Sequence, residues 1–167
     1  MKIAILGYSG SGKSTLARKI GEVYNCEVLH LDTIQFIDNW HERDREEARR
    51  LVASFLEKDA WVIDGNYQQF YQERRLDEAD RIIFLNFNRF ACFLRAYSRY
   101  KRYKGKSRED MAQGCNEKFD GEFMRWILWE GRTKATRQHY RDIRCRYGEK
   151  VTVLCSQREI DEFLTSL

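Results

Sequence analysis

Between Gly7 and Thr15 the chain reads Gly-Tyr-Ser-Gly-Ser-Gly-Lys-Ser-Thr: a glycine, four residues, then glycine, lysine and a hydroxyl side chain. Glycines at 7, 10 and 12 allow the backbone to turn tightly with its N–H groups directed inward, and a nest of amides at the start of a helix attracts an anion. Phosphate oxygens suit it. Lys13 would reach the outer phosphates of a nucleoside triphosphate, and the Ser14 hydroxyl would complete the oxygen shell of a magnesium ion bridging them. Gly7, Tyr8, Ser9, Gly10, Ser11, Gly12, Lys13, Ser14 and Thr15 are therefore expected to form a phosphate-binding loop.

Other motifs narrow the chemistry. The guanine-reading N-K-x-D and the transporter L-S-G-G-Q are missing, and 167 residues leave little room for a helicase or recombinase core. A small phosphotransferase remains, which needs a group at the acceptor, a second acidic residue for magnesium and cations for the transferring phosphoryl group. Asp32, in His-Leu-Asp, is expected to end the second strand, and a carboxylate at the C-terminal edge of a parallel sheet opens into the ligand crevice. It would orient the acceptor or take its proton. Asp64, in Trp-Val-Ile-Asp-Gly-Asn-Tyr, is expected to end the third strand and to bind magnesium through water. Asn66 and Tyr67 would then face the acceptor. For both aspartates the plain structural alternative is a carboxylate that caps a turn.

From Arg89 to Arg108 there are five arginines and three lysines and no acidic residue, a segment that expects a polyanion. Arg95, Arg99 and Arg102 follow helical spacing and share a face. With Arg108 at the start of a mobile element, and Arg132 and Arg137 on the next helix, they would bring guanidinium groups to a triphosphate. The interleaved Phe90, Phe93, Tyr97, Tyr100 and Tyr103 suit a nucleic-acid-binding helix as well, or simply a core stripe. His30, His41 and His139 stand in no catalytic or metal pattern and are given no role. Cys26, Cys92, Cys115, Cys145 and Cys155 are odd in number and scattered, and read as reduced thiols.

Positioning these groups requires a sheet. Apolar runs at 3–6, 28–31, 61–63, 82–85 and 151–154 read as five strands covered on both faces. Helical patterns at 13–24, 42–58, 67–78, 89–104, 119–147 and after Ser156 lie between and after them. The longest is expected to stop at Gly148, and Ser156 with Glu159 makes a capping box for the last. The alternation gives a three-layer α/β fold. One domain over 1–167 is expected, with 104–118 as its mobile element. The N-terminal apolar run is too short for a signal peptide and no later run approaches a membrane span, so a cytoplasmic protein without a membrane partner is expected.

Taken together, GYSGSGKST, HLD with Trp40, WVIDGNY, RIIFLNFNR and REDMAQGCNE (Arg108 to Glu117) resemble the adenylate-kinase-related P-loop kinase family of DNA topology modulation, or FlaR-related, proteins, over nearly the whole chain. The resemblance implies a P-loop NTPase fold with parallel strands in the order 2-3-1-4-5, an adenylate-kinase-like lid at about 104–118, and ATP with Mg2+ as ligands. By position it puts Gly7 to Thr15 on the phosphates and Asp32 and Asp64 on the acceptor and metal side. Arg108 and Arg132 become lid-side cations, and the Ser156 turn lies near the base. Where adenylate kinases proper carry Asp-Gly-Phe-Pro-Arg, this chain has Asp64-Gly-Asn-Tyr-Gln, without the proline and the monophosphate-binding arginine. Two functional readings follow: an ATP-dependent phosphotransferase acting on a small molecule or nucleotide, and an ATP-binding regulatory protein that touches nucleic acid through 89–108.

Overall fold

A computed structural model of the chain describes residues 1–104, 115, 117 and 119–167. The chain starts with β1 (Lys2–Gly7), the phosphate-binding loop and α1 (Lys13–Tyr24). Next come β2 (Val28–His30), α2 (Leu31–Gln35), and a small antiparallel hairpin of β3 (Phe36–Ile37) and β4 (His41–Glu42). Then follow α3 (Arg45–Leu56), β5 (Trp61–Asp64), α4 (Gln72–Glu78), β6 (Arg81–Leu85) and α5 (Arg89–Tyr103). The C-terminal part holds α6 (Gly121–Leu128), α7 (Lys134–Tyr147), β7 (Val151–Leu154) and α8 (Gln157–Thr165).

The five long-range strands pair in parallel in the order β2-β5-β1-β6-β7. With the hairpin set aside, this is the expected order 2-3-1-4-5. Ile3 to Leu6, Trp61 to Ile63 and Ile82 to Leu85 are all buried without alternation. Because successive strand residues point to opposite faces, continuous burial means that both faces of the central strands are covered. The edge strands β2 and β7 are only half-buried over most of their length.

Three expected elements differ. The helix expected over 119–147 is two helices: α6 is capped by the Asp120 side chain and α7 by that of Thr133, with a single 3-10 turn between them. Side-chain acceptors at two positions start two helices where apolar spacing alone suggests one. The helix expected from residue 67 begins only at Gln72, because Arg75 draws the carbonyls of Gly65, Tyr67 and Phe70 onto its guanidinium and holds that stretch as a loop. Asp32 does not end a strand: β2 stops at His30, and Asp32 is the second residue of α2. Gly148 does close α7, donating to Arg144, and Ser156 caps α8 with Glu159 reciprocating onto the backbone of Cys155. Among the described residues the cysteines are free thiols, and no helix is long and apolar enough to cross a membrane.

Candidate active site

Strand register assembles the site. β1 lies between β5 and β6, with Ile5 opposite Asp64 and Gly7 opposite Leu85. On the far side of β5, His30 is the register partner of Asp64. The last residues of four strands, Gly7, His30, Asp64 and Leu85, thus meet at the C-terminal edge of the sheet, where α/β folds bind ligands.

The loop after β1 needs its glycines for space and for torsion. Gly7 has φ +148°, and a Cβ there would lie 2.6 Å from the Leu85 carbonyl oxygen. Gly12, at φ +96°, leads directly into α1, and a Cβ there would lie 2.5 Å from a guanidinium nitrogen of Arg95. The Asn66 amide fixes the start of the loop from β5: Gly7 N–H donates to its Oδ1 at 3.1 Å, and its Nδ2 donates to the Gly7 carbonyl at 2.7 Å. Asn66, expected to face the acceptor, spends both ends of its side chain on the loop instead.

Lys13 folds back over the loop and donates to the Tyr8 carbonyl at 3.2 Å. Burial holds its pKa below the ordinary lysine value, opposed by the charges of Asp32 and Asp64. Ser14 donates to Asp64 Oδ2 at 2.9 Å, and His30 Nδ1 lies 2.5 Å from Asp64 Oδ1. Sequence reasoning assigned His30 nothing. Its only signal was its place at the end of a strand beside the strand ending in Asp64, and that pairing is invisible without the fold.

Asp32 faces the same crevice and accepts a 2.7 Å hydrogen bond from the Tyr67 hydroxyl. Burial, followed by the Asp32 charge and hydrogen bond, pushes the Tyr67 pKa well above the ordinary phenol value. The buried guanidinium of Arg75 props the Gly65–Phe70 loop from behind, with its pKa lowered by burial to about 10. Sequence analysis missed it, because an arginine in a helical pattern reads as a surface charge.

The expected cations separate into groups. Arg95 stacks its guanidinium 4.8 Å from the Phe87 ring centroid and donates to Gln157 at 2.8 Å, which ties α5 to the start of α8. Arg99 pairs with the buried Glu117 at 2.7 Å, and Arg102 is exposed. Arg132 lies over the Tyr8 ring at 3.7 Å and donates to the carbonyls of Ile127 and Phe87 and to Cys92 Sγ. It therefore packs the turn between α6 and α7 onto the phosphate loop, while Arg137 is exposed. Trp126 of α6 also reaches the loop, donating to Ser9 Oγ at 3.1 Å. Arg108 and most of the expected lid at 104–118 lie outside the described residues.

The donor set suits magnesium. Among the described residues no cluster of three or more His, Cys, Asp or Glu side chains forms a metal cage. Ser14 and Asp64 offer a hydroxyl and a carboxylate, and Mg2+ favours one or two such oxygens completed by water and phosphate. Ser14 and Asp64 would hold it.

A parallel sheet in this order, a G-x-x-x-x-G-K-S loop between strand and helix, and a carboxylate on the adjacent strand bonded to the loop serine define a P-loop kinase. Residues 2–85, half of the chain, match the model of the Phosphoribulokinase / Uridine kinase family, and the chain belongs to that family. Two solved structures show the fold. A shikimate kinase from Bacteroides thetaiotaomicron is 16% identical, with 99% of this chain and 95% of that one covered and a TM-score of 0.53. An uncharacterized protein from Eubacterium ventriosum is 14% identical, with 99% and 97% covered and a TM-score of 0.54. No curated protein matches the sequence.

Proposed function

We propose that the protein transfers the γ-phosphoryl group of Mg-ATP to a hydroxyl of a small-molecule or nucleotide acceptor. The observation that carries this reading is the placement of two carboxylates around one phosphate loop: Asp64 bonded to Ser14, and Asp32 bonded to Tyr67.

Each group has a task. The loop amides and Lys13 hold the outer phosphates, and Lys13 neutralises charge that shifts toward the leaving phosphate. Asp32, oriented by the Tyr67 hydroxyl, accepts the proton of the acceptor hydroxyl. The acceptor oxygen then bonds to the γ-phosphorus as the bond from that phosphorus to the β–γ bridging oxygen breaks, and ADP leaves. Magnesium, when bound at Ser14 and Asp64, supplies charge neutralisation on the phosphate oxygens. The assignments of Arg108 and Arg132 as lid-side cations belong to this reading. Arg132 would serve it through Tyr8, by keeping the loop in shape.

The nucleic-acid reading of 89–108 finds Arg95 and Arg99 engaged with Gln157 and Glu117 within the molecule. We read the resemblance to the DNA topology modulation proteins as one of kinase folds, with any effect on DNA indirect. The test is ADP release from Mg-ATP against a panel of nucleosides, nucleoside monophosphates, sugars and hydroxy acids. One acceptor is expected to accelerate release by orders of magnitude, and Lys13→Ala to lower that rate about 10³-fold in a protein that still folds. Unchanged turnover in Lys13→Ala would overturn the reading.

A further inference from the structure

We infer that His30 is a positioning residue that splits the duties of the Asp64 carboxylate, holding Oδ1 so that Oδ2 is left for Ser14 and the metal. This inference rests on the proposed kinase reading.

Three observations support it. Asp64 is 4% exposed, so its carboxylate takes its hydrogen-bond partners from neighbouring protein groups. Each of its oxygens has a partner: Ser14 donates to Oδ2, and His30 Nδ1 lies 2.5 Å from Oδ1, a contact in which His30 donates when Nδ1 carries its ring proton. The geometry is imposed by the backbone as well: His30 and Asp64 are register partners on adjacent parallel strands, so their side chains leave the sheet on the same face. The Thr33 hydroxyl donates to the His30 carbonyl at 2.7 Å and fixes the turn immediately after it.

The chemical consequence concerns the metal step. If Ser14 and Asp64 hold Mg2+, the Ser14 hydroxyl would offer it a lone pair while its O–H donates to Asp64 Oδ2, so the rotamer of Asp64 sets where that lone pair points. His30, at the other carboxylate oxygen, would hold Asp64 in that rotamer. Outer partners of this kind typically change metal affinity or activity about 10–100-fold when removed.

The experiment is calorimetric titration of the full chain with ADP, once with excess Mg2+ and once with EDTA, on four proteins. His30→Leu keeps the bulk and removes the donor. His30→Asn places an amide N–H where Nδ1 stands, whereas His30→Gln places it one bond further out. Wild type is expected to bind ADP more tightly with Mg2+. His30→Leu is expected to lose about tenfold of that magnesium-dependent gain, with binding in EDTA unchanged, and His30→Asn to recover it. If His30→Leu fails to fold, the contrast of His30→Asn with His30→Gln carries the test, with only Asn expected to match wild type.

Equal loss with and without Mg2+ would mark a merely structural residue and overturn the inference. So would equal behaviour of Asn, Gln and wild type. A magnesium effect that is present in wild type and intact in His30→Leu would overturn it while leaving the kinase reading standing. A wild type indifferent to Mg2+ would instead remove the magnesium assignment of Ser14 and Asp64, and His30's role with it.

Discussion

The two halves of the crevice are built by different means. On the phosphate side, Gly7 and Asp64 end strands that are buried on both faces and their relative position follows from backbone register, while Lys13 and Ser14 open α1 one short loop away. On the side we propose for the acceptor, α2 has five residues, each strand of the hairpin has two, and Asn39 and Trp40 both adopt positive φ. Side chains and turns hold that half. The Arg43 guanidinium donates to the carbonyls of Ile34 and Thr33, and its backbone N–H donates to that of Gln35. The Cys115 thiol donates to the Ile37 carbonyl and accepts from Trp40 N–H. Triphosphates are the same in every reaction, so their receptor can be fixed by the core. Acceptors differ, and a segment held by side chains can be reshaped by substitution without disturbing the sheet.

The strongest way to break this contrast is at Gly7. An alanine there meets the Leu85 carbonyl oxygen at 2.6 Å while adopting a φ that L-residues avoid, so β1 and β6 would have to separate. Strain and overpacking together are expected to cost about 4 kcal/mol in denaturant unfolding, with ATP binding lost. An unchanged midpoint would mean that the register does not fix the loop. The next test is Asn66→Ala, which removes both side-chain bonds to Gly7 and leaves that backbone to find water. About 2 kcal/mol of stability and about tenfold in nucleotide affinity should go. If acceptor KM rises instead and nucleotide affinity holds, Asn66 belongs to the acceptor half after all.

These two residues also show what the sequence makes legible. The five apolar runs, the loop spacing and the two aspartates are local patterns, and they were enough for five strands in a three-layer α/β fold and for naming Ser14 and Asp64 as magnesium-side groups, whereas the sheet order came with the family resemblance. The roles of His30, Asn66 and Arg75 depend on which strand lies beside which and on which carbonyls a folded loop presents. No local pattern encodes that. The break between α6 and α7 was hidden for a related reason: Phe123, Trp126 and Ile127 keep helical spacing, and only the capping side chains of Asp120 and Thr133 mark two starts. Arg132 could be picked out as a cation, but its engagement with Tyr8, Phe87 and Cys92 follows from packing alone.

On the acceptor side the expected effects are smaller and fall on rate. Tyr67→Phe keeps the ring against Phe70 and removes the hydroxyl that donates to Asp32. Loss of a hydrogen bond to a carboxylate predicts about a tenfold fall in kcat with the acceptor found by the panel, with KM for ATP unchanged. A rise in KM for ATP would show that the two halves are mechanically coupled, and would weaken the contrast between them.

The same substitution gives the most delicate test, in alkaline unfolding. Burial and Asp32 hold the Tyr67 phenol neutral well above its ordinary value of 10, while in the unfolded chain it ionises near 10. The unfolded state therefore releases a proton first. Stability from this group is fully present below pH 10 and is lost as pH rises from there toward the folded value, by up to about 1.4 kcal/mol per pH unit. Tyr140, whose pKa burial also raises, adds a loss of the same sign. Lys13 works the other way, because a pKa lowered by burial makes its contribution rise with pH until the unfolded lysine titrates near 10.5. Both Lys13 and Tyr140 remain in Tyr67→Phe, so the difference between the two proteins isolates Tyr67. The variant should lose stability more gently than wild type between pH 10 and 11, and parallel curves would mean that the phenol opens to water with its acceptor-side loop while the phosphate side stays shut.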